Sequence, residues 1–279
     1  MILPLISVLA VALTSTNVTW HDAARQREVP VKIYAPAGGT NLPLVVFSHG
    51  LGGTREGYAY LAGHWATNGY LCVVVQHPGS DDTAWRGHAD KAASLRAAAS
   101  AENARLRPQD VSFVITQMLR DPRVNTNAIG VAGHSFGAHT TLAVVGMRLG
   151  TQSYRDPRVT AAIPMSAPRP LAAALADINV PCLHLTGTKD DSPLFGTTAK
   201  DRRFPFDNIK GPGQWLVTFD GATHMTFAGQ GEAKHLDAIR TITTRFWDAH
   251  LKRDADAKKW LTDGTLERTL GANATVERK

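Results

Sequence analysis

The sequence predicts an α/β fold: a mostly parallel central sheet of about eight strands, helices on both faces, and no large lid. Three observations carry this. Short continuous apolar runs at 42–48, 70–76, 128–132, 159–165, 180–186 and 215–219 suit strands buried on both faces. Stretches with apolar residues at helical spacing lie between these runs, and such alternation implies a parallel sheet covered on both sides. The chain of 279 residues, 43% hydrophobic and 19% charged, is long enough to bury one large core. No internal repeat or linker divides it, so 18–262 reads as one domain, followed by a C-terminal tail, 263–279, with little core potential.

Taken in order, 18–34 alternates through Trp20, Val29, Val31 and Ile33 and reads as a β-hairpin, ended by Pro36 and Gly38-Gly39. The run at 42–48 enters His49-Gly50-Leu51-Gly52-Gly53, and a helix over 56–67 closes at Asn68-Gly69. After the strand at 70–76 comes an excursion, 77–106, that turns Ala- and Arg-rich. Pro108 opens a helix carrying Val111, Val114, Ile115 and Met118. The strand at 128–132 leads into a helix over 136–149, closed by Gly150. A second excursion, 190–213, holds Phe195, Phe204 and Phe206, which could form one apolar wall. The last helix, 232–251, places Leu236, Ile239, Ile242 and Phe246 on one face. Neither excursion is long enough for a large helical lid.

The chemistry centres on Gly133-His134-Ser135-Phe136-Gly137, between a buried strand and a helix. This is G-x-S-x-G in the context of a nucleophile elbow, a strained turn that lifts a serine hydroxyl above the sheet. Gly133 and Gly137 are required because side chains there would collide across the turn. The pentapeptide alone arises by chance in roughly one chain in ten of this length, so the rest of the sequence must supply a base, an acid and an oxyanion site. His224, in the loop between the last strand and last helix, is placed to be the base. The acid belongs after a strand between them: 159–165 ends in Ser166-Ala167-Pro168, whereas 180–186 runs into Gly187-Thr188-Lys189-Asp190-Asp191. Asp190 is the assignment, with Asp191 its neighbouring competitor and Asp220 next. The order Ser…Asp…His is the one this type of site uses on an α/β sheet. Oxyanion donors are the backbone N–H groups of Phe136 and Leu51. His49, Gly50, His134 and Phe195 stand where they could line a substrate site.

These motifs resemble the α/β-hydrolase superfamily over about residues 18–251. Phe47-Ser48-His49-Gly50-Leu51-Gly52 with Gly133-His134-Ser135-Phe136-Gly137 is similar to the platelet-activating-factor acetylhydrolase group and to bacterial predicted dienelactone hydrolases of the chlorophyllase-like kind. The resemblance implies a serine carboxylic ester hydrolase acting on small or short-acyl esters, with no cofactor and no metal. Eukaryotic acetylhydrolases carry the acid after the earlier strand, where this chain has Ser-Ala-Pro. Dienelactone hydrolases proper use a cysteine nucleophile, against which Ser135 speaks. Other acyl hydrolases on the same triad (polyester depolymerase, amidase, peptidase) and a catalytically silent binding protein are the alternatives. The superfamily's strand order separates Cys72 from Cys182 by three strands and predicts two free thiols.

The net charge of +6 comes from 30 basic residues scattered among 24 acidic ones; no basic stripe points to nucleic acid. Apolar residues 1–12, with Ala10-Val11-Ala12 as a cleavage site, read as a signal peptide and imply a secreted or periplasmic protein, otherwise a cytoplasmic one. No other stretch reaches membrane-spanning length. The expected partner is a small-molecule ester; the oligomeric state is left open.

Overall fold

The computed structural model describes residues 13–279; the signal-peptide expectation lies outside them. The hairpin is β1 (Leu13–Asp22) and β2 (Arg27–Pro36), followed by β3 (Leu42–Ser48), α1 (Ala59–Thr67) and β4 (Leu71–Val75). The first excursion carries α2 (Lys91–Ala98) and leads into α3 (Ala101–Met118). Next come β5 (Val124–His134), α4 (Phe136–Val145), β6 (Val159–Met165) and β7 (Cys182–Lys189). The second excursion holds α5 (Phe204–Asn208), after which β8 (Gln214–Thr223) and α6 (Ala233–His250) follow. The chain ends in α7 (Ala255–Thr262), α8 (Thr265–Leu270) and β9 (Ala274–Arg278).

Among the described residues the strands form one nine-stranded sheet in the order β1-β2-β4-β3-β5-β6-β7-β8-β9. The strands from β4 to β8 in that order pair in parallel, while β1, β2 and β9 add antiparallel edges. The fully buried patterns of β3 and β4 follow from cores on both faces. On one face α1 and α6 pack Trp65, Phe246 and Trp247 against Val45, Phe47 and Val217. On the other α3 and α4 pack Val111, Ile115 and Leu142 against Val46, Val73 and Val131. Strand order reverses at β3, which lies between β4 and β5, so a crevice opens above the C-terminal ends of β3 and β5. That crevice positions the candidate site.

Several expectations need correction. The tail at 263–279 is part of the fold: Leu266 and Leu270 are buried, and β9 pairs with β8 at the sheet edge. The helix expected over 136–149 stops at Gly146 (φ 131°), where a Cβ would stand 2.6 Å from the Asp177 carbonyl oxygen. Pro108 lies inside α3 rather than at its start. It sits on the helix's buried side, where the loss of one N–H is offset by packing. Helix α1 begins at Ala59 because Tyr58 adopts a left-handed conformation (φ 63°) that sends its ring inward. Cys72 and Cys182 are free and buried, on β4 and β7 with three strands between them. No helix among the described residues is long and apolar enough to cross a membrane.

Burial also makes the fold acid-sensitive. His49 and His134 are held well below the usual imidazole range, chiefly by burial. The same cause lowers His77 to about 3 and His139, His184 and His250 to about 4. In the unfolded chain these groups take protons below about pH 6.5. Unfolding therefore absorbs protons between that value and the folded values, and stability is lost as pH falls. Urea unfolding followed at stepped pH should show stability falling from pH 6.5 toward 4 with uptake of about three or more protons. A flat profile over that range would contradict the buried, neutral assignment.

Candidate active site

Ser135 forms the turn between β5 and α4, with φ 57° and ψ −116°. A Cβ on Gly133 would overlap the Gly137 carbonyl and lie 2.8 Å from Thr141 Oγ1; one on Gly137 would overlap the Ser48 carbonyl at the end of β3. Both glycines are thus fixed by backbone approach. The strain at Ser135 is held by its N–H donating to the Met165 carbonyl at 2.9 Å.

The structure brings Ser135, His224 and Asp190 together. His224 Nε2 lies 3.0 Å from Ser135 Oγ, and Nδ1 lies 2.8 Å from Asp190 Oδ1. Asp190 is wholly buried, and its Oδ2 accepts from Ser166 Oγ at 2.6 Å and Thr186 Oγ1 at 2.9 Å. Held by these two donors, Asp190 fixes the tautomer with Nδ1–H toward itself, leaving Nε2 to accept the serine proton. Asp191 is exposed and instead accepts from the Ala199 N–H at 2.8 Å, while Asp220 accepts from Thr188 Oγ1 at 3.2 Å.

The Leu51 and Phe136 N–H groups have no protein acceptor among the described residues; Phe136 opens α4, whose first N–H groups are free of intrahelical partners. The loop carrying Leu51 is fastened on every side. Gly50 N–H donates to Tyr58 Oη at 3.1 Å, Gly52 N–H to the Ser80 carbonyl at 2.9 Å, and Trp85 Nε1–H to the Gly52 carbonyl at 2.8 Å. His134 joins this loop to the histidine loop: its Nδ1 accepts from Tyr58 Oη at 2.9 Å, and its Nε2–H donates to the His224 carbonyl at 3.0 Å. Burial keeps Tyr58 protonated, its pKa pushed up to about 12.

Three expected lining residues behave differently. His49 is fully buried beneath the loop, not in the site: Nδ1–H donates to the Gly50 carbonyl at 2.6 Å and Nε2 accepts from the His77 N–H at 3.1 Å. Its ring supports the turn from below. Of the three phenylalanines in the second excursion, Phe195 lines the site, but Phe206 is buried against His184 and Phe204 packs on the core of the α3 and α4 face. The single wall does not form because α5 turns the latter two inward.

Two arginines that the motifs do not name also hold the site. Buried Arg202 donates from Nη1 to the Ser166 carbonyl at 3.0 Å and from Nε to the Asp190 carbonyl at 3.2 Å, with Nη2 3.2 Å from His224 Nδ1. Burial lowers its pKa while Asp190 opposes the shift. Nothing in the excursion's sequence marks it. Arg107 is fully buried. It donates to Thr140 Oγ1 at 3.0 Å, Ser80 Oγ at 2.9 Å, Ser48 Oγ at 3.1 Å and the His49 carbonyl, and it stacks 4.6 Å from the Phe136 ring. Here a signal existed: residues 107, 111, 114 and 118 share a helix face, so an arginine stands in an apolar stripe.

Beside Arg107 lies a second Ser-His-Asp array. Ser48 Oγ is 2.9 Å from His77 Nε2, and His77 Nδ1 is 2.9 Å from Asp110 Oδ2. All three are buried, and Asp110 also accepts from Arg25 at 2.7 Å and Arg27 at 2.8 Å. Burial pushes Asp110 up, but His77 and Arg27 outweigh it and hold it at about 2. Its neighbours leave no access for a substrate.

Two cavities meet at Ser135. One, about 390 Å³, is lined by Gly50, Leu51, Tyr58, Trp85, His134, Phe195, His224 and Met225. The other, about 230 Å³ and mostly apolar, is lined by Leu51, Ala99, Phe136, His139, Pro168, Phe195 and Arg202. A larger cleft of about 1000 Å³ lies at the opposite, N-terminal edge of the strands among Asn41, Asn125 and Arg158, away from these groups. Among the described residues no cluster of three His, Cys, Asp or Glu is placed to hold a metal.

A mostly parallel sheet with this strand order, a strained serine turn after β5 and an acid and a histidine after β7 and β8 defines the α/β-hydrolase fold. Residues 5–107 match the family model described as platelet-activating factor acetylhydrolase, isoform II. Among solved structures, a ferulic acid esterase from Streptomyces cinnamoneus superposes with a TM-score of 0.66 at 19% identity, covering 88% of this chain and 92% of that one; the likeness is one of fold. No curated protein matches the sequence.

Removing one partner from a buried ion cluster leaves the others uncompensated, so Asp110→Ala should lower the unfolding free energy by about 3–5 kcal/mol. Asp177→Ala, breaking a half-exposed pair with Arg148, should cost less than about 1 kcal/mol. Equal losses in urea titrations would contradict the structural role given to Asp110.

Proposed function

We propose that the protein is a serine carboxylic ester hydrolase, and the observation that carries this reading is the hydrogen-bonded Ser135–His224–Asp190 chain at an accessible, strained turn. Ser135 Oγ attacks the ester carbonyl as His224 Nε2 takes its proton, and Asp190 stabilises the imidazolium. The unpartnered Leu51 and Phe136 N–H groups receive the oxyanion; losing one such donor typically costs about 3–4 kcal/mol of barrier. His224 then protonates the departing alcohol. Water attacks the acyl-enzyme with His224 again as base, releasing the acid.

Chemistry also divides the two cavities. The leaving oxygen must receive a proton from His224, so the alcohol belongs in the 390 Å³ cavity that His224 and Met225 line. The acyl group, bonded to Ser135 and held at Leu51 and Phe136, belongs in the 230 Å³ cavity that His224 does not line. The small, apolar acyl side favours short acyl groups of about two to six carbons. The similarity to an acetylhydrolase family over 5–107 supports the same chemistry.

With p-nitrophenyl acetate and butyrate as substrates, Ser135→Ala should abolish turnover while leaving the fold intact. Asp190→Asn should lower kcat by about 10⁴-fold through the wrong imidazole tautomer. Asp191→Asn should lose less than about tenfold, since it caps a surface turn. A larger loss at Asp191, or turnover persisting in Ser135→Ala, would sink the assignment; faster cleavage of an anilide than of the matching ester would move the reading to an amidase.

A further inference from the structure

His139 lines the 230 Å³ acyl cavity and also a second groove of about 440 Å³. His139 stands one turn into α4 from Ser135, its N–H donating to the Ser135 carbonyl at 3.1 Å. The groove beyond it is walled by Met147, Leu149, Pro170, Leu171 and Ala174, with Arg148, paired to Asp177, also in its lining. One stretch of chain runs past both spaces: Pro168 lines the acyl cavity and Pro170 the groove. Leu171 at the groove is 80% exposed, an apolar side chain with nothing covering it. His139 makes no hydrogen bond that would explain its presence; Nδ1 is buried without a partner among the described residues. Burial and the Arg107 charge hold the imidazole neutral, its pKa near 4, so it presents an uncharged wall to an apolar chain.

We propose that His139 is the residue that sets the acyl-length limit: its ring is the partition between the acyl cavity beside Ser135 and an apolar groove suited to the distal methylenes of a longer unbranched acyl chain. This rests on the ester-hydrolase reading and deepens it. The partition acts by volume. With the imidazole in place a chain ends against it; with the imidazole removed the two spaces join. Each methylene that then reaches the groove gains burial corresponding to about a three- to fourfold increase in kcat/KM.

The test is a series of p-nitrophenyl esters from acetate to decanoate, read as the ratio of kcat/KM for octanoate to that for acetate. His139→Ala should raise this ratio at least about tenfold. Adding Ala174→Trp, which fills the groove, should take the gain back. His139→Phe, which fills the space of the imidazole, should leave the ratio at or below that of the unmodified protein, and it serves as the reading if the smaller variant does not fold. The proposal is overturned by an unchanged ratio in an active His139→Ala protein, by a gain that survives Ala174→Trp, or by a rise in His139→Phe. Absence of ester turnover by the unmodified protein would refute the underlying hydrolase reading instead, and so separates the two.

Discussion

The first turn of α4 rests directly on the end of β3, and the rest of the site depends on that contact. Gly137 sits against the Ser48 and His49 carbonyls with no room for a Cβ. This contact sets the distance between the serine turn and the loop holding Leu51. Arg107 completes it from below, bonding the His49 carbonyl, Ser48, Ser80 and Thr140 at once. Its acceptors are all neutral, so its charge is balanced at a distance by Asp110 rather than by a paired carboxylate. Arg107 also stacks on the Phe136 ring and so braces the residue that opens α4.

Among the described residues Ser-His-Asp is built twice, and the two arrays differ in their surroundings. Ser135–His224–Asp190 and Ser48–His77–Asp110 have nearly the same distances. Ser48 is buried, lies at the end of a regular strand, and already accepts from Arg107. Ser135 is partly exposed, strained, and flanked by two free N–H groups. Hydrogen-bond geometry alone therefore does not define the site. Access, backbone strain and free N–H groups distinguish the two.

Much of this was legible because it follows from local rules. The apolar runs at 42–48 and 159–165 coincide with β3 and β6, and the glycines of the serine turn announce their own sterics. Asp190 could be separated from Asp191 only in part, since their directions depend on how β7 ends. The tail misled because Leu266 and Leu270 are too few to read as a core, yet they close one against α7 and the sheet. Arg202 and Tyr58 were invisible for a different reason. Each acts through backbone carbonyls and amides from distant segments, and no spacing in the sequence encodes such contacts. His49 does not line the crevice because a residue following a strand can turn beneath the loop as readily as into it.

The distinction between the two arrays is open to one direct measurement. The intact protein treated with a fluorophosphonate, digested and sequenced by tandem mass spectrometry, should carry a single phosphonyl group on Ser135 and none on Ser48. An adduct on Ser48, or on any serine other than Ser135, would contradict the account.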